Sequence, residues 1–336
     1  MGVKVSIIVP VFNVKRYLSE CLDSILNQTL TDIEIICGDG GSTDGSLEIL
    51  NDYSKKDSRI KVISKSGSGY GQSVNDCMDI ATGEYIGIVE SDDCVRPEMY
   101  EKLYDRAKNL NLDWVRGDIY LYYSERPVGS QLVKESIVKD NRLYDFVLNP
   151  QNDYRPYRSG LRTWSGIYST KFLNDHSIRH NETPGGSYQD VGFFLKTFYY
   201  AKRVSFIKEA FYMWRQDNPN SSINYDSWKI VNKSLNEWKK DREYLEAHAN
   251  LGPMAYGSYN YRKYLSYCWT IQMSNGPSRD YAEGIAREEL SAALKNGEID
   301  RRFFQRCEWI DFNIMINPDS LRYRVLSKMV AMAGVR

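Results

Sequence analysis

The sequence predicts an α/β fold in which a mainly parallel sheet is flanked by helices and followed by a helical C-terminal region. Two observations predict it. Over the first hundred residues, short β-branched runs that are apolar at nearly every position alternate with amphipathic stretches. Beyond about residue 220 this alternation gives way to long amphipathic stretches rich in Tyr, Trp, Lys and Glu. A strand apolar on both faces must be covered on both faces, which is the condition of a parallel sheet sandwiched by helices.

The elements follow in order. Residues 5–11 form a β-branched run, apolar but for Ser6 and ended by Pro10 and Asn13, the pattern of a buried strand. Tyr17, Leu18, Cys21, Leu22, Ile25 and Leu26 then recur at helical spacing. A second strand is read at 33–37, a second helix around 47–53, a third strand at 60–63, a third helix at 74–80 and a fourth strand at 85–89. A helix at 98–110 and a strand at 114–123 come next. The polar stretch 124–140, with Pro127 and Gly129, reads as a loop or insertion. Residues 203–207 and 211–214 read as two short strands separated by a turn.

Composition narrows the function classes. With 336 residues, 42% hydrophobic and 26% charged, the chain has the balance of an ordinary folded protein with a sizeable core. Lys plus Arg equals Asp plus Glu at 44 each, which argues against a general nucleic-acid binder. The six cysteines form no C-x-x-C pair and read as reduced thiols in a cytoplasmic protein. No apolar run approaches the roughly 20 residues of a bilayer span. The stretch 321–336 mixes Arg322, Arg324, Lys328 and Arg336 with apolar residues. It fits a packed terminal helix and also a peripheral contact with an anionic membrane surface.

In open α/β sheets, ligands bind outside the carboxyl ends of the strands. The first strand there runs into Pro10-Val11-Phe12-Asn13, the second into Asp39-Gly40-Gly41-Ser42, and the fourth into Glu90-Ser91-Asp92-Asp93. Three carboxylates in four residues repel one another unless a cation or solvent relieves them. Mg²⁺ and Mn²⁺ prefer oxygen ligands, and a phosphate-bound ion typically takes only one or two protein carboxylates. The tetrad therefore suits a metal–diphosphate site, and equally a solvated turn before a helix. Asp39 can accept hydrogen bonds from a base or ribose, although its segment also reads as a tight turn with a helix cap. Gly67, Gly69 and Gly71 do not make a dinucleotide fingerprint, because Gln72 stands where the third glycine belongs. His176 and His180 are four apart, a spacing that without a third partner is incidental. Trp164, Tyr168, Tyr188, Tyr212 and Trp214 suggest an aromatic platform for an acceptor sugar.

The run Val5 to Asn13, followed by Leu18, Cys21, Ser24 and Gln28, resembles the opening of the family 2 glycosyltransferases. Residues 39–46, Asn75 with residues 81–85, and the 90–93 tetrad follow in that family's order and spacing. The resemblance covers roughly residues 1–215. It implies the GT-A fold, a nucleotide-binding α/β sheet that uses a divalent cation, Mn²⁺ or Mg²⁺, to hold a sugar diphosphate. It places Pro10, Val11, Asn13, Asp39, Asn75, Glu90, Ser91 and Asp93 around the nucleotide sugar and makes Asp92 the metal ligand. Ser187-Tyr188-Gln189-Asp190 resembles an acidic element at a helix start whose Asp is the catalytic base, which assigns that role to Asp190. Ser187 and Asp190 also approximate a capping box. Arg215 with Ser221-Ser222 resembles an element near the diphosphate.

This chain departs from the family pattern at Gly40, Glu90 and Gln189, where the family usually carries an acid, Asp and Glu respectively. The implied function is an inverting transfer of a sugar from a nucleotide-diphosphate donor to a saccharide or lipid-linked acceptor in surface polysaccharide or glycan synthesis. The alternative is a catalytically silent nucleotide-sugar-binding protein. The expected domains are 1–220, with a nucleotide-sugar half at 1–123 and an acceptor half at 141–220, and a helical region at 221–336. Nucleic acid is not an expected partner; a homodimer and a peripheral position at the inner face of the membrane are compatible expectations.

Overall fold

The structure is a computed structural model that describes residues 2–186, 188–219, 221 and 226–320. The chain divides into two compact units, Met1–Ser221 and Ser222–Arg336. The stretch 321–336, read above as a terminal helix or membrane contact, lies outside the described residues, as do Ser187 and Ser222.

The first unit begins with β1 (Val5–Val11), α1 (Lys15–Leu26), β2 (Ile33–Asp39), α2 (Ser46–Lys56), β3 (Ile60–Ser64), α3 (Tyr70–Asp79) and β4 (Tyr85–Ile88). Every residue of β1 and β2 is buried, as expected of strands covered on both faces, and the polar side chains among them, Ser6, Glu34 and Asp39, are hydrogen-bonded inside. β5 (Cys94–Val95), α4 (Met99–Leu110), β6 (Trp114–Tyr122), β7 (Leu132–Glu135), β8 (Gly166–Ser169), α5 (Thr170–Asp175), α6 (Gln189–Tyr200) and β9 (Val204–Arg215) complete it. Among the described residues the strands form one nine-stranded sheet in the order β3-β2-β1-β4-β8-β6-β9-β5, with β7 paired to β6. β1, β2, β3 and β4 run parallel, while β8, β7 and β5 join antiparallel.

Two readings of the sequence need correction. The stretch 124–140 is not wholly loop, because β7 within it pairs with β6 from Ile119 to Tyr122. The two short strands expected at 203–207 and 211–214 are one continuous strand, β9. Its pairing with β6 slips at Gly117 and Asp118, and this irregularity absorbs the polar Lys208 and Glu209 that look like a turn in the sequence.

The parallel half is tied at its far edge by a buried carboxylate. Glu34 accepts from the hydroxyls of Ser6 (2.5 Å) and Thr82 (2.9 Å), from the Thr82 N–H (2.7 Å) and from Lys61 (2.6 Å). Burial alone would raise its pKa, but Lys61, Ser6 and Thr82 outweigh that and hold it at about 2. A carboxylate depressed in the fold contributes stability above its unfolded value and loses it as pH falls. Glu34 is expected to contribute about 1–3 kcal/mol, discounted for the half-exposed Lys61, and to lose it between about pH 4.5 and 2. Urea unfolding of Glu34→Gln against wild type checks this, since the two curves should converge as pH approaches 2.

On β6, Arg116 is buried among the rings of Trp114, Phe194, Phe198 and Phe206. It donates to Ser159 (2.6 Å) and to the Gly160 carbonyl (3.1 Å), pinning the 155–165 segment to the sheet.

The second unit is helical: α7 (Ser227–Ala247), α8 (Gly252–Met273), α9 (Gly276–Lys295) and α10 (Arg306–Ile316). Trp238, Tyr259, Tyr261, Tyr264, Tyr267, Leu290 and Phe312 fill its core. Arg242 bridges to Glu298 and the nearly buried Lys263 to Glu289, which explains why a core can be drawn from a stretch so rich in charge. Among the described residues no helix is long and apolar enough to cross a membrane.

Candidate active site

The strand order turns back between β1 and β4, since β2 and β3 lie on one side of β1 while β4 and everything after it lie on the other. Such a switch point opens a crevice at the carboxyl ends of the strands. Three of the sequence-predicted segments end there.

On the β1–β2 side, Val11 is paired with Asp39. Pro10 and Val11 are themselves buried in the strand, so the exposed surface at this edge falls to Asn13 and to Phe12, which is 63% exposed. Phe12 is a residue that the motif reading passes over. Asn13 takes a left-handed backbone (φ 50°), and its Oδ1 accepts from the Thr43 N–H (2.8 Å), knitting the end of β1 to the loop after β2. Asp39 is buried, and its carboxylate accepts from the N–H groups of Gly41 and Ser42 and from the Ser64 hydroxyl (2.9 Å). These bonds fix its orientation. Gly40 has a local reason: a Cβ there would sit 3.1 Å from the Ser68 carbonyl oxygen and 3.5 Å from the Phe12 ring. The acid usual at this position would press on the 65–68 loop, which would have to give by a few tenths of an ångström.

On the β4 side, the turn Glu90–Asp93 is closed by the Asp93 N–H on the Glu90 carbonyl (3.0 Å) and buries Ser91. Its carboxylates point to different partners. Asp93 accepts from the Tyr212 hydroxyl (2.7 Å) and from the Arg215 N–H (2.7 Å), so both its oxygens are spent on β9. Burial and the neighbouring Asp92 push its pKa well up against those two bonds. Tyr212 also accepts the Glu90 N–H through its hydroxyl (3.0 Å), which makes it the post on which the turn is hung. Arg215 is buried as well. It donates to the Asp92 carbonyl (2.6 Å), pairs with Glu20 (2.5 Å) and lies between the rings of Tyr17 and Tyr122. Asp93 and Arg215 thus have their polar groups engaged inside the protein and hold the turn in shape.

Glu90 and Asp92 are half-buried. Asp92 accepts from Asn218 (2.7 Å) through Oδ2, and its Oδ1 takes no hydrogen bond among the described residues. Glu90 accepts from the Tyr70 hydroxyl (2.6 Å). Burial pushes its pKa up to about 8; the Tyr70 bond opposes this, and the charges of Asp92 and Asp190 add to it. That last influence brings the third segment to the same place. Asp190 is the second residue of α6, half-buried in its first turn, and its charge reaches both Glu90 and Tyr70. The residue flanking this helix is Tyr188, in a left-handed backbone (φ 67°) with no side-chain cap, and the expected capping box, which needs Ser187, lies outside the described residues. Gln189 turns away, donating to Thr183 (2.9 Å) and the Gly185 carbonyl.

Asn75 is pulled out of the ligand-facing set. Its amide makes a two-way clamp on the backbone of His180 (2.9 and 3.0 Å) and donates to Glu182 (2.9 Å). The side chain thus moors the segment leading to α6 on α3. His180 stacks on Phe193 and His176 on Tyr200, so the pair does not converge on a ligand. Of the expected aromatic platform, Trp164, Tyr168 and Tyr212 are buried, whereas Tyr188 and Trp214 stay half-exposed, with the Arg162 guanidinium 4.2 Å from the Trp214 ring centre.

The donor set decides which kind of cation fits. Among the described residues no three His, Cys, Asp or Glu side chains converge to cage a metal. Asp92, with one oxygen free of hydrogen bonds in a crevice carrying excess negative charge, instead fits an ion that arrives with phosphate and needs one protein carboxylate.

Comparison with known proteins identifies the family. Residues 6–168 match the model of glycosyl transferase family 2. The glycosyltransferase GlyG of Streptococcus pneumoniae is 30% identical over 221 residues, covering 64% of this chain and 72% of GlyG. The chain belongs to glycosyl transferase family 2. The uncharacterized glycosyltransferase EpsJ of Bacillus subtilis is 34% identical over 219 residues, 65% of this chain, and the match spans 62% of EpsJ's length. Among solved structures, Staphylococcus aureus TarS 1-349 in complex with UDP-GlcNAc aligns with a TM-score of 0.58 at 19% identity, covering 98% of this chain and 92% of that one. The mannosyltransferase PcManGT of Pyrobaculum calidifontis, in complex with GDP-Man and Mn²⁺, aligns with a TM-score of 0.53 at 15% identity, covering 98% of this chain and 85% of that one. These likenesses show that the family 2 chain has the GT-A glycosyltransferase fold.

Proposed function

We propose that this family 2 chain moves a sugar from a nucleoside-diphosphate donor to a hydroxyl of a saccharide or lipid-linked acceptor, with inversion, in polysaccharide synthesis. The observation that carries the reading is that the charges of Asp92, on the β4 turn, and Asp190, at the start of α6, both reach Glu90 at the switch-point end of the sheet.

Phe12 offers its face to the base beside Asp39, whose carboxylate is oriented by Gly41, Ser42 and Ser64. Tyr188 and Trp214 offer aromatic faces on the acceptor side. Asp190 takes the proton from the acceptor hydroxyl as that oxygen bonds to the anomeric carbon. The bond from that carbon to the diphosphate breaks on the opposite face, and its electron pair leaves with the diphosphate. A divalent cation held by Asp92 would supply neutralisation of the charge gathering on the leaving diphosphate. The donors bound by the solved neighbours, UDP-GlcNAc and GDP-Man, support a nucleotide sugar of this class.

The test is incubation of the full chain with UDP-, GDP-, dTDP- and CMP-sugars and Mn²⁺, following release of the nucleotide. Slow turnover with one nucleotide, abolished by EDTA and restored by metal, is expected. Phe12→Ala should weaken binding of that nucleotide about 5- to 100-fold, the range for loss of one base–aromatic stack. Nucleotide binding without any turnover would favour the silent binding protein. Neither binding nor turnover would remove the reading.

A further inference from the structure

Position 90 carries the longer of the two acidic side chains, and the structure gives it a partner at matching reach. Tyr70 opens α3, and its hydroxyl donates to Glu90 Oε1 at 2.6 Å. The same residue holds the segment that leads to α6. Its backbone N–H donates to the Gly185 carbonyl (2.9 Å), and its ring meets His180 edge-on at 5.7 Å. The backbones of α3 and this segment are nearly in contact. A Cβ on Gly69 would lie 2.6 Å from the Thr183 carbonyl oxygen, and one on Gly71 2.0 Å from that of Asn181. Packed against this segment and bonded to it through Gly185, Tyr70 links the β4 turn to the residues that lead into α6.

The geometry points to Tyr70 as a positioning residue that locks Glu90 against the donor and makes glutamate, rather than the shorter aspartate, the working acid at position 90. This rests on the glycosyl-transfer reading, because only there does the orientation of Glu90 matter to a ligand. The physical argument is one of length. Glu90 reaches the Tyr70 hydroxyl at 2.6 Å, and an aspartate at 90 on the same backbone falls one methylene short of it. A carboxylate released in a crevice shared with Asp92 and Asp190 turns away from their charge and leaves the donor. The phenol acts as the donor of this bond because burial, reinforced by Glu90 and Asp190, keeps it protonated.

A double-mutant cycle of Tyr70→Phe and Glu90→Asp tests it. The phenylalanine keeps the ring and the backbone bond and removes only the hydroxyl. Affinity for UDP with Mn²⁺, or for the nucleotide chosen by the donor screen, is read by calorimetry, with kcat and KM alongside and thermal melting as a control. Each single variant is expected to weaken nucleotide binding about 10- to 100-fold, the range for a lost hydrogen bond to a charged group. Glu90→Asp made on Tyr70→Phe is expected to cost less than about threefold more. Equal costs of Glu90→Asp in both backgrounds would overturn the assignment, and so would nucleotide affinity unmoved by Tyr70→Phe. If the wild-type chain binds no nucleotide and turns over no donor, it is the glycosyl-transfer reading that fails. The melting temperatures then decide the lock by themselves, because additive shifts would refute it and coupled shifts would keep it.

Discussion

Replacing Asp190 by Asn is expected to lower turnover about 10²- to 10⁴-fold while leaving nucleotide affinity and melting temperature near wild type. The range is that of a lost general base. Three features select this residue. It lies in the first turn of α6, where the positive end of the helix favours a carboxylate in its ionised, basic form. It is half-buried, which leaves it reachable from the crevice. Its charge is felt at Glu90 and Tyr70, which places it beside the residues that shape the donor edge. Asn keeps the size and an accepting oxygen, so the helix start is preserved and only basicity is lost. Because Asp190 helps to hold the Glu90 pKa up, the variant should also shift Glu90 titration downward, a change that NMR detects without turnover. The readout is kcat against KM with the donor found in the screen. Turnover within about threefold of wild type, in a folded protein, would remove Asp190 from the role.

What could be read in the sequence follows a physical boundary. β1 announces itself because all seven of its residues are buried and six of them are apolar, and the same logic exposes β2, in spite of its buried Glu34, and β4. Their polar terminations, Asn13, Asp39 and Glu90, stand out against that background, so the edge carrying the site is legible from residue order alone. The antiparallel strands are not. β5 and β8 are two and four residues long, and β9 hides its continuity behind a register slip. At the site, sequence order identifies which acids gather but cannot say which way each one faces. Asp92 and Asp93 are adjacent in the chain, yet one is half-exposed and the other is consumed by β9. Tyr70 gave no signal, since its meaning lies in a hydrogen bond to a residue 20 positions on and a backbone bond to Gly185. Asn75 gave a signal whose use differs from the one expected, because its amide is occupied by the backbone of a residue 105 positions away.

The adjacency of Asp92 and Asp93 supports the second large prediction, in which neighbouring acids fail in opposite ways. Asp92→Asn should keep its contact with Asn218, because an amide oxygen accepts that bond as a carboxylate does. What it loses is the negative charge that draws a cation to the diphosphate. Cation-dependent nucleotide binding should disappear and turnover fall at least about 10²-fold, as when one electrostatic contact to developing charge is removed, with melting unchanged. Asp93→Ala removes no ligand-facing group but strands two buried donors, the Tyr212 hydroxyl and the Arg215 N–H. Each buried donor left without a partner costs about 1–3 kcal/mol. Melting should therefore drop by roughly 5–10 °C for a unit of this size, and residual activity at low temperature should still depend on metal. Tyr212 carries the strain outward, since it also holds the Glu90 N–H, so the whole turn loosens when Asp93 is truncated. Thermal melting without ligand, set beside calorimetry of Mn²⁺ with the nucleotide, separates the two outcomes. If Asp93→Ala melted like wild type and lost the cation, Asp93 would be the acid that faces the diphosphate, and the arrangement of the turn argued from β9 would have to be reversed.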